Sequence, residues 1–566
     1  MAEPELIQKI LSGIYGDADG KRAATQVNSL IKRFPKGQSL VGPRFSESDA
    51  VLITYGDTLS AEGESPLVAL QRFAQTHLKK IFSHIHVLPF WPYSSDDGFS
   101  VIDFHRIDPA LGRWSEMCRL GQDFKLMFDL VLNHISAKSK WFEYYRAGRS
   151  GFDTLAIEAD PHTDLSDVVR PRALPLLTET IMANQKKRHV WTTFSADQID
   201  LNFASVDVLI KMVAVLLYYV KQGAEIIRLD AIAYLWKEIG TTCIHLDKTH
   251  EVVRLFRAIL DQVAPQVMIL TETNVPHAEN ISYFGNGLNE AQMVYNFSLP
   301  PLLFYTFMGQ DTTVLSQWAK TLVLASDKTT FFNFTASHDG IGVRPLEGIV
   351  DADGLEMLVA AVNRNGGQVS YKQNSDGTQS PYELNITYVD AFLDGRSTPD
   401  KDHAARFLAS QAIALALPGV PAVYIHSLLG SRNWIEGVQQ TGRARSINRA
   451  KLKLSQVEAQ LSDPASFRAG IFSAYAQMLA IRCVQPAFHP NAAFRILHLD
   501  RRLFAIIRSC EHQVLYAITN VTSKQVKADL DREGITGPHR DLLSEKHFSA
   551  DNIALGSYQT LWLVPA

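Results

Sequence analysis

Four apolar runs in the middle of this 566-residue chain end in groups that can attack, protonate or clamp. One closes in Asp129-Leu-Val-Leu-Asn133-His134, a second in Arg228-Leu-Asp230, a third in Thr271-Glu272-Thr273 and a fourth in Ser337-His338-Asp339. A single acid at a strand end can simply cap the helix that follows. Three carboxylates (Asp230, Glu272, Asp339), two histidines and an arginine aimed at one mouth are costly to bury unless they bind or react. Glycosyl transfer uses such a set. One carboxylate attacks the anomeric carbon, and a second protonates the leaving oxygen and then deprotonates the incoming nucleophile. Arg228, two residues before Asp230, falls on the same strand face and is expected to hold a nucleophile there ionised.

Such residues need a frame that brings strand ends together. Eight short β-rich runs recur: Val51–Tyr55, Ile85–Phe90, Leu126–Leu132, Ile226–Asp230, Val267–Glu272, Met293–Phe297, Phe331–Ser337 and Ala422–Ile425. Helix-like segments lie between them, and Asp207–Gln222 carries a broad apolar face. Eight βα units predict an α/β fold, a (β/α)8 TIM barrel. Two gaps are too long for simple connections. Both leave from strand C-termini, the face where barrel sites are built, so they read as inserted subdomains. The expected organisation is a helical extension over 1–48 and barrel parts over 49–138, 196–339 and 403–490. Insertions occupy 139–195 and 340–402, and a small all-β C-terminal domain fills 491–566.

Charge and composition exclude other classes. Fifty-five Lys and Arg against fifty-nine Asp and Glu leave no broad basic face for nucleic acid or for a membrane surface. The most apolar stretch, Phe407–Ile425, holds Ser410, Gln411, Pro418 and Pro421, so it reads as a buried helix and a strand. Cys118, Cys243, Cys483 and Cys510 lie far apart, without disulfide or zinc spacing. His245 and His250 would point roughly 140° apart on a helix, so no metal is expected there. The start, MAEPELIQKILSGIYG, lacks a cationic region followed by an apolar core, and a cytoplasmic enzyme is the expectation.

In order along the chain, DLVLNH, IRLDA, a strand-end Glu and SHDG resemble the four signature regions of glycoside hydrolase family 13, the α-amylase superfamily. The resemblance implies Asp230 as nucleophile, Glu272 as general acid/base and Asp339 as transition-state stabiliser. It implies a glucose subsite completed by His134, His338 and Arg228, with Asp96 and Phe99 of SSDDGF holding and stacking on the sugar. Arg445 in GRARSINR matches an arginine that reaches the same sugar. No cofactor is implied.

The segments PFWPYSSDDGFSVIDFHRIDPALGRW, VRPRALPLLT and VWTTFSADQIDLNF are similar to the sucrose-phosphorylase subfamily. In that subfamily the second arginine of the Arg170-Pro171-Arg172 motif meets inorganic phosphate, and a cation there suits an anion entering among acids. The helical extension, TETNVPH and SPYELNITY resemble the glucosylglycerate phosphorylase branch. Its acceptor carries a carboxylate, for which Arg344 is the candidate cation. The implied partners are a small α-glucoside and inorganic phosphate, with neither nucleic acid nor membrane. The implied reaction is retaining glucosyl transfer from 2-O-α-glucosylglycerate to phosphate. Sucrose, sucrose 6'-phosphate and glucosylglycerol phosphorylases share the framework, and an α-glucosidase or a non-catalytic scaffold are the remaining alternatives.

Overall fold

The computed structural model describes residues 3–35, 42–171, 174–373, 378–395 and 398–566. Within them, parallel strands β1 (Val51–Thr54), β2 (His84–Val87), β3 (Lys125–Val131), β4 (Ala224–Asp230), β5 (Met268–Thr271), β6 (Met293–Tyr295), β7 (Thr330–Phe334) and β8 (Val420–Tyr424) form a closed barrel in chain order. Each of the eight expected runs supplies one strand. Helices cover the outside and side chains fill the inside, so these strands are apolar on both faces and almost wholly buried. All the runs but Ile226–Asp230, which ends with its strand, extend one to three residues beyond the ladder: Glu272 and Ser337 follow the last paired residues of β5 and β7. Those overhangs carry the polar groups into the mouth.

Between β3 and β4 the chain pairs His134–Ser136 with Gln198–Asp200 and forms a hairpin of Leu177–Ile181 with Lys187–Trp191. A separate apolar cluster of Leu165, Val168, Leu176, Trp191 and Cys243 supports this segment, which is more ordered than its polar sequence suggests. Between β7 and β8, strands Ile341–Gly342, Gln368–Gln373 and Gln379–Asn385 form a three-stranded antiparallel sheet. The helix Asp400–Ala416 then leads into β8, so the apolar stretch at 407–425 is a buried helix end and a barrel strand. Among the described residues no helix is long and apolar enough to cross a membrane.

Two terminal elements brace the barrel. Helices α1 (Glu3–Tyr15) and α2 (Asp17–Ile31) pair antiparallel, and α1 buries Ile7, Leu11 and Ile14, each contributing about 1.5–3 kcal/mol. Tyr15 donates its hydroxyl to the Phe203 carbonyl at 2.7 Å and lays its ring against Trp236. The extension therefore supports the segments just outside the barrel mouth. At the other end a six-stranded antiparallel sheet, beginning with Ala493–Leu497 and Leu503–Cys510, packs on the barrel. Buried Arg482, on the helix before that sheet, braces this end of the barrel by donating to the Leu415, Gly419, Phe488 and Glu47 carbonyls. Arg508 does the same at Ala416 and His489.

Candidate active site

A cleft opens at the C-terminal ends of the barrel strands. Its wall brings together Asp230, Glu272 and Asp339 with Arg228, His134 and His338. Asp96, Phe99 and Arg445 complete the predicted residues that meet there. Arg228 organises the floor. Its Nη1 donates to Asp129 at 2.6 Å and to Asp230 at 2.7 Å, and its Nη2 stands 3.9 Å from Glu272. Asp129 is sealed from solvent, yet His86 and Arg228 overcome that burial and hold its carboxyl down to about 2. It therefore anchors Arg228 from below.

The two acids differ in their donors. Burial raises Asp230, Arg228 opposes the rise, and the Glu272 charge adds to it. Burial also raises Glu272, against Arg228 and the Ala231 N–H that Glu272 accepts at 2.9 Å. The two carboxyls titrate jointly, and the direct Arg228 bond favours charge on Asp230 over Glu272. The geometry gives one carboxylate a guanidinium and the other a single backbone N–H. Ala231 presents its N–H from a left-handed conformation, φ 50°, which costs about 1–2 kcal/mol in a residue with a Cβ.

Asp339 faces a different field. Burial would raise it, but Arg445 at 2.6 Å, with His338, Arg449 and Arg228, drives it well below the usual carboxylate range. Arg445 also grips Glu383 with two bonds, of 3.0 and 2.8 Å, tying the second insertion to the strand β7 exit. The histidines are neutral at pH 7. Burial lowers His134 to about 4 and His338 to about 3. His134 turns Nε2 to the Phe99 carbonyl at 2.9 Å, and His338 stacks on the Phe99 ring at 4.7 Å. A flat aromatic wall thus stands beside the carboxylates.

The other predicted residues fall elsewhere. Arg170 is exposed, its neighbour Pro171 lines the cleft, and Arg172 lies outside the described residues. Arg344, five residues beyond Asp339, is not among the residues lining the cleft; it faces Glu279 at 3.7 Å. Glu347 reaches Lys372 instead of Arg344. Phe90 and Trp91 pack in the core beneath the rim, with Trp91 stacked on Tyr219. No group of three His, Cys, Asp or Glu suited to a metal occurs among the described residues, and His250 pairs with Glu290. His245 precedes the helix Asp247–Val263, so the two histidines do not share one helix.

Sequence reasoning missed several wall residues. Tyr234 and Asn274 follow Asp230 and Glu272 by four and two positions, a local signal that strand exits offered. Gln198 and Glu383 come from the two insertions and carried none. Lys237 was also missed. Its ammonium, 3% exposed, meets Asp200 at 2.5 Å and Asn133 at 2.6 Å, joining the first insertion to the barrel. Burial lowers this lysine, and Asp200 opposes the change. Replacing Lys237 with Met leaves Asp200 buried without a cation, at a cost of about 3–5 kcal/mol. Hydrogen exchange across Gln198–Asp200 and the unfolding midpoint measure this. Unchanged protection in Lys237→Met would show that the pair holds nothing.

Comparison with known proteins agrees with this geometry. The α-amylase catalytic-domain family model matches residues 77–340. The chain is 45% identical to the glucosylglycerate phosphorylase of Escherichia coli strain K12, across 98% of this chain and 99% of that one. It is 46% identical to the glucosylglycerate phosphorylase of Allomeiothermus silvanus, across 99% of each. The crystal structure of sucrose 6F-phosphate phosphorylase from Thermoanaerobacter thermosaccharolyticum shares the fold, with TM-score 0.74 at 24% identity over 89% of this chain and 98% of that one. A barrel with these strand-end acids, matched end to end by such relatives, belongs to the α-amylase superfamily, glycoside hydrolase family 13, in its sucrose-phosphorylase subfamily.

Proposed function

We propose that this enzyme transfers a glucosyl unit from 2-O-α-glucosylglycerate to inorganic phosphate, giving α-glucose 1-phosphate and glycerate. Near-full-length identity of 45–46% to glucosylglycerate phosphorylases carries the reading. The unequal acid pair supports a double displacement with retention. Asp230 attacks the anomeric carbon, the C1–O bond to glycerate breaks, and Glu272 gives its proton to the departing oxygen. A phosphate oxygen then attacks C1, Asp230 leaves, and Glu272 accepts whatever proton the phosphate still carries. Asp96, Phe99, His134, Arg228, His338, Asp339 and Arg445 hold the glucosyl unit. Arg172 meets the phosphate, with Arg170 beside it. Arg344, held against Glu279, is the proposed cation for the glycerate carboxylate. Four unpaired cysteines suit a reducing, cytoplasmic setting.

A donor screen tests the assignment. In phosphate buffer, glucosylglycerate should release glucose 1-phosphate about 100-fold faster than glucosylglycerol or sucrose, whose neutral acceptors would leave donors meant for a carboxylate unpaired, and faster than sucrose 6'-phosphate, whose anionic acceptor is a far larger phosphorylated sugar. Without phosphate, little glucose should appear. Faster turnover of sucrose, or phosphate-independent glucose release, would replace this substrate or this reaction class.

A further inference from the structure

We propose that Asp197 is a positioning residue for the glucosyl-binding wall and acts through Asp96. The proposal rests on the reading of Asp96 and Phe99 as glucosyl contacts. Both sit on a tight loop, Ser94–Ser100, that the backbone alone would not hold. Asp96 and Asp97 are consecutive left-handed residues, with φ 54° and 48°. Side chains with a Cβ rarely adopt that region, and two in succession persist only where the surroundings over-determine them. Gly98 follows with φ 111°, and any Cβ there would lie 2.5 Å from the Pro89 Cβ. Main-chain support within the loop is three long bonds: Ser94 N–H to the Ser100 carbonyl at 3.1 Å, Phe99 N–H to the Asp96 carbonyl at 3.2 Å and Ser100 N–H to the Ser95 carbonyl at 3.3 Å.

The missing support comes from side chains on other segments. One oxygen of Asp197, Oδ2, accepts the hydroxyls of Ser94 at 2.5 Å, Ser95 at 2.5 Å and Ser100 at 2.7 Å. Three hydroxyls converging on one oxygen suit an acidic side chain, because hydrogen bonds to a carboxylate are stronger than those to an amide. The next residue, Gln198, donates to Asp96 Oδ2 at 3.3 Å and lies 3.1 Å from His134. On the far side Arg449 grips Asp97, and Arg443 stands 3.6 Å from it. The loop is thus clamped between the return of the first insertion and the segment around Arg445. Asp197 sets where Asp96 points without being among the residues lining the cleft.

A double-mutant cycle with Asp96 reads this directly. Asp197→Asn should lower kcat/KM by about 10–100-fold, with KM for glucosylglycerate and for glucose 1-phosphate raised, because a small misplacement of a binding group is costly. In an Asp96→Ala background, Asp197→Asn should cost less than about 2-fold, since the residue it positions is gone. A role in stability alone would lower the melting point and the active fraction and leave both KM values unchanged. Ser95→Ala, which removes one donor from the loop and spares the carboxylate, should follow the same cycle at about 3–10-fold and serves if Asp197→Asn fails to fold. Unchanged KM values, or losses that multiply across the two sites, overturn the proposal. If Asp96→Ala itself leaves the affinity for glucose 1-phosphate intact, the glucosyl reading of the loop fails first, and the positioning role falls with it.

Discussion

Asp230→Asn is expected to remove glucose 1-phosphate formation by about 10⁴-fold or more, the scale seen when a nucleophile is deleted. The amide keeps the size of the side chain and can still accept from Arg228, which bonds Asp230 at 2.7 Å and Asp129 at 2.6 Å. What it loses is the negative oxygen that forms a bond to C1. Folding should survive, because Asp129 and His86 continue to hold Arg228 from below. Burial of the Asp230 charge is itself unfavourable, so the melting point should stay level or rise. Glucosylglycerate should still bind, since Asp339, His134 and Phe99 are untouched. Single-turnover release of glucose 1-phosphate, calorimetric binding and a thermal melt measure the three statements. More than about 1% of parental turnover, once reversion by deamidation is excluded, would move the nucleophile elsewhere.

The frame of this site was readable because its signal is local. A barrel strand buried on both faces must be a short apolar run, and the polar residue that ends it is next to it in sequence. Asp230 after Ile226–Leu229 and Glu272 after Met268–Thr271 follow that rule. The insertions obey no such rule. Glu383 reaches Asp339 only through the shared arginine, 62 residues further along, and Gln198 reaches Asp96 across 102. No periodicity marks either pairing, because each is fixed by how a subdomain folds back over the mouth. Arg344 carried no such signal either: Ile341–Gly342 enters an antiparallel sheet at the cleft wall, and the turn after it sets Arg344 against Glu279, a pairing that sequence position alone does not show.

Glu272→Gln separates proton transfer from bond making. With glucosylglycerate, whose leaving group departs as an alkoxide unless protonated, kcat/KM should fall by about 10²–10⁴-fold. With α-glucosyl fluoride the leaving fluoride needs no proton, so Asp230 should still be glucosylated. Phosphate dianion attacks without a base, and glucose 1-phosphate from the fluoride should form within about 10-fold of the parental rate. The pH profile carries the second readout. Glu272 must hold its proton in the first half-reaction, so activity falls as pH rises through its raised pKa. Burial places that limb above the ordinary glutamate range, and the Asp339 charge adds to it; Arg228 and the Ala231 N–H pull the other way. In Glu272→Gln the amide has no proton to lose, and the alkaline limb should vanish while the acid limb, set by ionisation of Asp230, remains. Equal losses with the fluoride and with glucosylglycerate, or an alkaline limb that persists, would assign the proton to another group. The unequal donors of the pair, Arg228 at 2.7 Å for one acid and a single backbone N–H at 2.9 Å for the other, are why the proton is expected on Glu272 and the charge on Asp230.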